Sequence, residues 1–389
     1  MRHCKTKVRR NACVPKYSDT APLGRGCSFG TYKFPSINMK ILDLIQSIKS
    51  ENHYLRRPSI VYDSYIGELI GILENLEKIL NSKQYMNLVD KKLQIKLHEF
   101  SELQFIQSAC ELTVMSHFLG VCGVSFEYEK VIGKPKNVDF SILQNGRNYN
   151  IEVKCPSFNR HEKIDGEIEL HCIDRAPSMQ FKNEIIELVS RKLEICDKKT
   201  IEIKNLDNTL KDFLISTQEK VKKSSLEDVN ILVVGCDDEK NMHMWRGYLF
   251  GSNGFFTENS FINHDQFDRV DYVLLTNIYN RHYRYFESER IINHWSLSAS
   301  FNLLYPNKFS RRNIAIDGRI DLNHMNSIFP NHNIEFEKYL NDVADVPDGE
   351  KQEIKKLVLG VAWYADKYRK NGIYYFNKHP PVKSVDVCF

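Results

Sequence analysis

The stretch NVDFSILQNGRNYNIEVKCP, residues 137–156, restricts the fold more than any other part of the chain. Asn145-Gly146 sits between two runs of alternating apolar residues. A type I′ turn needs positive φ at both central positions, which Asn and Gly adopt most readily, so a two-residue hairpin is expected. Counting back from Gln144 facing Arg147 puts Asp139 opposite Glu152. Because side chains alternate, Asp139, Ser141, Asn150, Glu152 and Lys154 then share one face, with Val138, Phe140, Ile142, Tyr149, Ile151 and Val153 on the other.

Two like charges in cross-strand register cost a few tenths to about 1 kcal/mol, and more where the patch is partly buried. A divalent cation held between the carboxylates offsets that cost, and an oxygen-only donor set suits Mg²⁺. The competing reading is the wet face of an exposed hairpin, with Lys154 balancing the acids. Glu-x-Lys spacing recurs at Glu202-Ile203-Lys204 and Glu353-Ile354-Lys355. Glu353 falls in a helical pattern, where i and i+2 diverge, and Glu202 lacks a preceding Asp-bearing strand. Only the 139–154 set combines the Asp strand, the turn and the Glu-x-Lys strand.

The chain has 389 residues, 42% of them apolar, enough for two or three domains and at least one sizeable core. There is no apolar run of membrane-spanning length, and MRHCKTKVRR leads into no apolar signal core, so a soluble cytoplasmic protein is expected. The ten cysteines are scattered without a CxxC, the pattern of reduced, buried thiols. His3, Cys4, Cys13 and Cys27 match no regular zinc spacing. Residues 1–33 carry eight Lys or Arg against Asp19 alone, a basic arm able to neutralise phosphates or a solvated terminus.

Four segments are expected. Residues 1–35 form a basic tail or irregular lead-in, and 36–100 a helical module with apolar residues at i, i+3 and i+4. Residues 101–280 form an α/β core, and 281–389 a loop-rich and helical extension. Within the core, a helix runs from the N-cap Ser101 to Gly120, followed by three antiparallel strands at 121–131, 137–143 and 148–154. ELHCI and TIEIK read as short strands, and MQFKNEIIELVSRKLEI and LDNTLKDFLISTQEKVKK as helices. VNILVVGC (229–236) has the continuous apolar character of a strand buried on both faces, with WRGYLFG and VDYVLLTN as further strands. The fold class is therefore α/β, a mixed sheet flanked by helices.

The pattern Asp139-x12-Glu152-Val153-Lys154, on a hairpin preceded by a Glu-bearing helix, resembles the PD-(D/E)xK nuclease superfamily, which has a restriction-endonuclease-like fold. The resemblance covers about residues 101–280, with Val138 in place of the proline before Asp139. It implies metal-dependent hydrolysis of nucleic-acid phosphodiesters, DNA by preference. Asp139, Glu152 and the Val153 carbonyl would hold one or two Mg²⁺ ions, with Mn²⁺ able to substitute, and Lys154 would orient the nucleophile. The matching helix acid is Glu111. Glu102 lies about 180° round the same helix and is explained by the helix dipole. Cutting both strands of a duplex would favour a homodimer. The second reading is a non-catalytic nucleic-acid-binding or interaction protein on the same fold; the intact Asp, Glu and Lys set favours the enzyme.

RHYRYFESER (281–290) places Arg281 and Arg284 beside Tyr283, a composition that can hold phosphates and stack bases. Aromatics anchoring that loop to the core are the stronger expectation. Gln218 is expected to face solvent. No G-x-S-x-G elbow, phosphate-binding P-loop or HExxH zinc motif is present.

Overall fold

The computed structural model describes residues 39–119, 121, 123–133, 136–158, 167–172, 178–194, 199–203, 206–237, 239–251, 253–287, 291–315, 322–333 and 384–387. The basic lead-in, its His/Cys set, Gly120 and most of the expected 281–389 extension beyond Asn333, including the helices expected near 333–344 and 350–370, lie outside them.

Three helices come first: α1 (Met39–Gln46), α2 (Tyr62–Ile79) and α3 (Ser82–Asn87). Along α2, Tyr65, Ile66, Leu69, Ile70, Leu73 and Leu76 are buried, the stripe that 3.6-residue periodicity predicts. A capping box opens α3, with Asn81 and Gln84 each satisfying the other's backbone N–H. The next helix, α4 (Glu102–Phe118), starts at Ser101, whose hydroxyl accepts from Gln104 N. It is buried nearly all round, so it runs through the protein rather than over its surface.

Strands β1 (Val124–Tyr128), β2 (Val131–Gly133), β3 (Lys136–Asn137), β4 (Phe140–Gln144) and β5 (Arg147–Lys154) follow. After them come β6 (Glu167–Cys172), α5 (Met179–Glu194), β7 (Lys199–Ile203), α6 (Asp207–Val221) and β8 (Val229–Gly235). The remaining elements are α7 (Glu239–Phe250), β9 (Tyr272–Thr276), α8 (Ile278–His282), β10 (Asn302–Pro306), α9 (Arg311–Ala315), α10 (Leu322–Ile328) and β11 (Ser384–Val387).

The main sheet has the order β1-β4-β5-β8-β9-β10. Strands β1, β4 and β5 run antiparallel; β5, β8 and β9 are parallel; β10 returns antiparallel. Alternate residues of the parallel strands feed two cores. Val229, Ile231 and Val233 of β8, with Tyr272 and Leu274 of β9, pack in the cluster that contains α2 and α4. Leu232, Val234, Val273 and Leu275 face the opposite cluster, which includes Leu210 and Leu214 of α6 and Trp245 of α7. Every β8 residue is buried, as its unbroken apolar run requires. A smaller parallel sheet has the order β11-β6-β7.

The expected 36–100 module shares its core with the sheet and with the segment after residue 281. Tyr65 stacks on Tyr285 at 3.5 Å between ring centroids, and its hydroxyl meets His282 Nδ1 at 3.0 Å. One expected strand is absent: WRGYLFG ends α7. Met242, Trp245 and Leu249 are spaced to bury one helical face, so the 3.6-residue period overrides the β-prone composition.

A polar relay crosses three strands inside this apolar frame. Ser141 Oγ donates to Asn150 Oδ1 at 2.7 Å, and Asn150 Nδ2 donates to Asn230 Oδ1 at 2.8 Å. Asn230 Nδ2 continues to Ser224 Oγ at 3.0 Å and Arg269 O at 2.8 Å, while Asn230 N donates to Asp271 Oδ2 at 2.8 Å. All three linked strand residues are buried, so each bond forms where water cannot replace it.

Candidate functional site

Over the paired residues the hairpin register is the expected one, but the ladder ends at Phe140 and Ile151, so the expected cross-strand pair of Asp139 with Glu152 is not formed. Gln144 faces Arg147 and Phe140 faces Ile151. Asn145 and Gly146 have φ of 52° and 76°, the left-handed values the turn demands. The apolar face, Phe140, Ile142, Tyr149, Ile151 and Val153, is fully buried. The polar face is not wet: Ser141, Asn150 and Glu152 are also buried, with Glu152 at 0% exposure. An exposed hairpin is therefore ruled out for this face.

The sheet forks where β4 begins. Past Ile151, β5 continues without β4 beside it, and side chains replace the missing strand. Val153 N donates to Asp139 Oδ2 at 2.7 Å. Gln107 of α4 donates from Nε2 to Val153 O at 2.8 Å and accepts from Cys155 N at 2.8 Å. Gln107 Nε2 also reaches Glu111 Oε1, one helical turn further on, at 3.1 Å. The fork thus draws α4 against the end of β5 and carries Glu111 to the hairpin acids.

Three lysines close round the three carboxyl groups. Lys154 Nζ and Lys220 Nζ contact the same Glu152 Oε1 at 2.6 and 2.5 Å. Lys92 Nζ lies 2.9 Å from Glu111 Oε2 and 3.5 Å from Glu129 Oε1. The lysine side chains keep 19–25% of their exposure whereas those of the two glutamates keep 9% or less. The arrangement is a buried acidic floor with ammonium groups reaching to solvent. Glu152 Oε2 is buried with no hydrogen-bond partner, an acceptor left open in the floor.

The charges shape each other's titration. Burial, then Glu111 and Glu152, push the Asp139 carboxyl well above the ordinary aspartate range, against the opposing pull of Lys220 and Lys92. Burial disfavours the Lys154 ammonium, but Glu152, with Asp139 and Glu111, outweighs it and raises the lysine's pKa. Lys92 behaves alike, with Glu111 the main stabilising neighbour. Lys92 Nζ also lies 5.2 Å from the ring centroid of Tyr128, whose hydroxyl burial holds above the usual tyrosine range.

Glu111, Asp139, Glu152 and Lys154 are therefore brought together. Glu102 instead accepts a bond from Tyr54 Oη on the other side of α4. The loop residues do not join the cluster. Arg281 is fully buried, and its Nη2 donates to Ile292 O at 2.7 Å and Asn293 O at 2.8 Å, so it organises a turn rather than meeting a phosphate. Tyr283 is buried as well, and Arg284 remains exposed beside Glu287. The aromatics anchor this loop. Gln218 is not solvent-facing: it donates to Asp268 Oδ1 at 2.8 Å and accepts from Arg269 N at 2.8 Å.

Sequence reasoning missed Lys92, Lys220 and Gln107. Gln107 had a signal, its i, i+4 spacing to Glu111 on one helix face. The two lysines come from segments that only the tertiary fold brings near.

Among the described residues, no group of three His, Cys, Asp or Glu side chains is arranged as a ready-made metal-ligand set, so Glu111, Asp139 and Glu152 are neighbours without already forming one, and no helix is long and apolar enough to cross a membrane. No family model, curated protein or solved structure matches the chain.

Proposed function

We propose that the protein is a metal-dependent nuclease of restriction-endonuclease-like fold, hydrolysing phosphodiester bonds of nucleic acid and preferentially DNA. The observation that carries the reading is the fork at the end of the hairpin, where Asp139 Oδ2 accepts from Val153 N at 2.7 Å beside a fully buried Glu152, with Lys154 two residues on. The order acidic helix, Asp strand, Glu-x-Lys strand, crossover helix and parallel strand supports it.

The donor chemistry fits Mg²⁺ or Mn²⁺: Asp139, Glu152 and Glu111 offer hard oxygens, and Glu152 Oε2 lacks a partner. The Val153 carbonyl already accepts from Gln107 and retains its second lone pair. A bound ion would neutralise phosphate charge and acidify a water. The chain's own residues do the rest. Lys92, Lys154 and Lys220 draw the phosphate to the rim by charge. Lys154, kept protonated by its acidic neighbours, donates to the attacking water and holds it in line. Severing both strands of a duplex would need two such sites, so the reading extends to a homodimer.

A non-catalytic nucleic-acid-binding protein is the second reading. It is favoured by the pairing of Glu111 with Lys92 and of Glu152 with Lys154 and Lys220, since a self-neutralised cluster stands without an ion. Plasmid and single-stranded DNA, incubated with Mg²⁺ or chelator, separate the two. The nuclease reading expects Mg²⁺-dependent cleavage that falls at least about 100-fold in Asp139→Ala and Lys154→Ala. Cleavage that persists in both variants would sink the site assignment. Binding without cleavage on every substrate would favour the second reading.

A further inference from the structure

Three cysteines from separate parts of the sequence meet directly beneath the charged cluster. Cys110 precedes Glu111 on α4, Cys155 follows Lys154 at the end of β5, and Cys236 follows Gly235 at the end of β8. Cys110 lies near Cys155 and Cys236. Gly235 gives the sulfurs their room. A Cβ built there would stand 3.0 Å from Cys155 Sγ and 3.6 Å from Cys110 Sγ, so both sulfurs converge on one point. Cys110 and Cys236 are fully buried, whereas Cys155 is partly exposed and stands at the open end of the fork.

We propose that Cys155 and Cys110 form a peroxide-sensitive pair that closes into a disulfide between the Lys154 strand and the Glu111 helix. The accessible member reacts first. The Cys155 sulfur attacks one oxygen of the peroxide, the O–O bond breaks, and the released hydroxide leaves as water. The sulfur is oxidised to a sulfenic acid and the peroxide reduced by two electrons. The Cys110 sulfur then attacks the sulfenic sulfur, and its proton leaves with the displaced oxygen as a second water. Cys110 is the resolving partner because its sulfur converges with that of Cys155 beside Gly235, and because burial keeps peroxide from reaching it directly. The bond would fasten together the two residues that adjoin Glu111 and Lys154, tying the charged cluster to the redox state. The proposal concerns a covalent modification and holds whether or not the cluster hydrolyses nucleic acid.

The test treats the full chain with hydrogen peroxide at fixed pH, blocks remaining thiols, and maps peptides by mass spectrometry. The expected product is a Cys110–Cys155 linked peptide about 2 Da lighter than its two reduced parts, lost on treatment with dithiothreitol. In Cys110→Ala, Cys155 is expected to stop at a sulfenic acid that dimedone traps. In Cys155→Ser, which alters only the partly exposed position, Cys110 is expected to stay reduced. The proposal is overturned if Cys155 remains a thiol while other cysteines oxidise. It is equally overturned if Cys155 pairs with Cys236 or another cysteine, or if Cys110 oxidises in Cys155→Ser.

Discussion

Replacing Lys220 by Met tests whether the ring of lysines holds the acidic floor in place. Lys220 Nζ is 2.5 Å from Glu152 Oε1, and a hydrogen bond to a charged group contributes about 1.5–3 kcal/mol. Two facts place the expected loss in the lower part of that range. Lys154 still contacts the same oxygen at 2.6 Å, and Lys220 is 19% exposed, so part of its charge is already hydrated. Lys220→Met should therefore destabilise the protein by about 2 kcal/mol. The sign should reverse in Glu152→Gln. There the two ammonium groups lose their shared partner and keep only Asp139 and Glu111 as opposite charges, so removing one relieves part of their repulsion, giving a change of about zero to 1 kcal/mol in favour of folding. The coupling between positions 220 and 152 is then about 2–3 kcal/mol in a double-mutant cycle. Urea unfolding followed by tryptophan fluorescence reads it, since Trp245 and Trp295 report from the two cores on either side of the sheet. If Lys220→Met costs the same in both backgrounds to within about 0.5 kcal/mol, the contact contributes nothing and the reasoning fails.

Three further outcomes follow from the same geometry. Burial raises the Asp271 carboxyl from 3.8 to about 6, partly opposed by the hydrogen bond from Asn230 N. A raised carboxyl contributes stability below its unfolded pKa and loses it as pH climbs through the folded one. The stability of Asp271→Asn relative to wild type should therefore rise by about 2–3 kcal/mol between pH 4 and 7, and a flat or falling difference would contradict this. Gln107→Ala leaves Val153 O and Cys155 N without their side-chain partner, and should cost about 2 kcal/mol while speeding hydrogen exchange at Cys155. Unchanged exchange there would refute the role of Gln107 as a strand substitute. Arg281→Met replaces a buried guanidinium that donates twice to the Ile292–Asn293 backbone and should cost about 2–4 kcal/mol without a selective loss of the proposed nucleic-acid binding. A binding defect in a fully stable variant would return Arg281 to a contact role.

Local chemistry made the hairpin legible. Asn145-Gly146 fixes its own φ values and hence the register from Gln144–Arg147 to Phe140–Ile151, whereas the fork that takes Asp139 out of the ladder depends on Gln107 of α4 and was not legible. The apolar run of β8 was legible for a similar reason, because burial on both faces leaves Asn230, held by the relay, as its single polar side chain. What failed depended on distant packing. The Ser141, Asn150 and Glu152 face looks polar in sequence and is buried because Lys220 of α6 and the Asn230 strand close over it. Lys92 and Lys220 reach the cluster from segments whose separation in sequence conceals them. Gln218 and Arg281, polar residues usually found outside, are buried because each satisfies loop backbone that would otherwise lack partners. In α7, aromatic residues with strand preference were placed by helical spacing against the second core.

The relay from Ser141 through Asn150 to Asn230 also bears on how the sheet tolerates change over evolutionary time. Asn150 and Asn230 recognise each other across a parallel pairing whose connecting segment spans two helices and a separate small sheet. A slip of one residue would strand both amides among apolar side chains and turn Glu152 to the opposite face. Alignment is thus encoded by matching keys on the strands themselves. The register that holds the charged cluster is therefore set on β5 and β8 themselves rather than by the length of the chain that joins them.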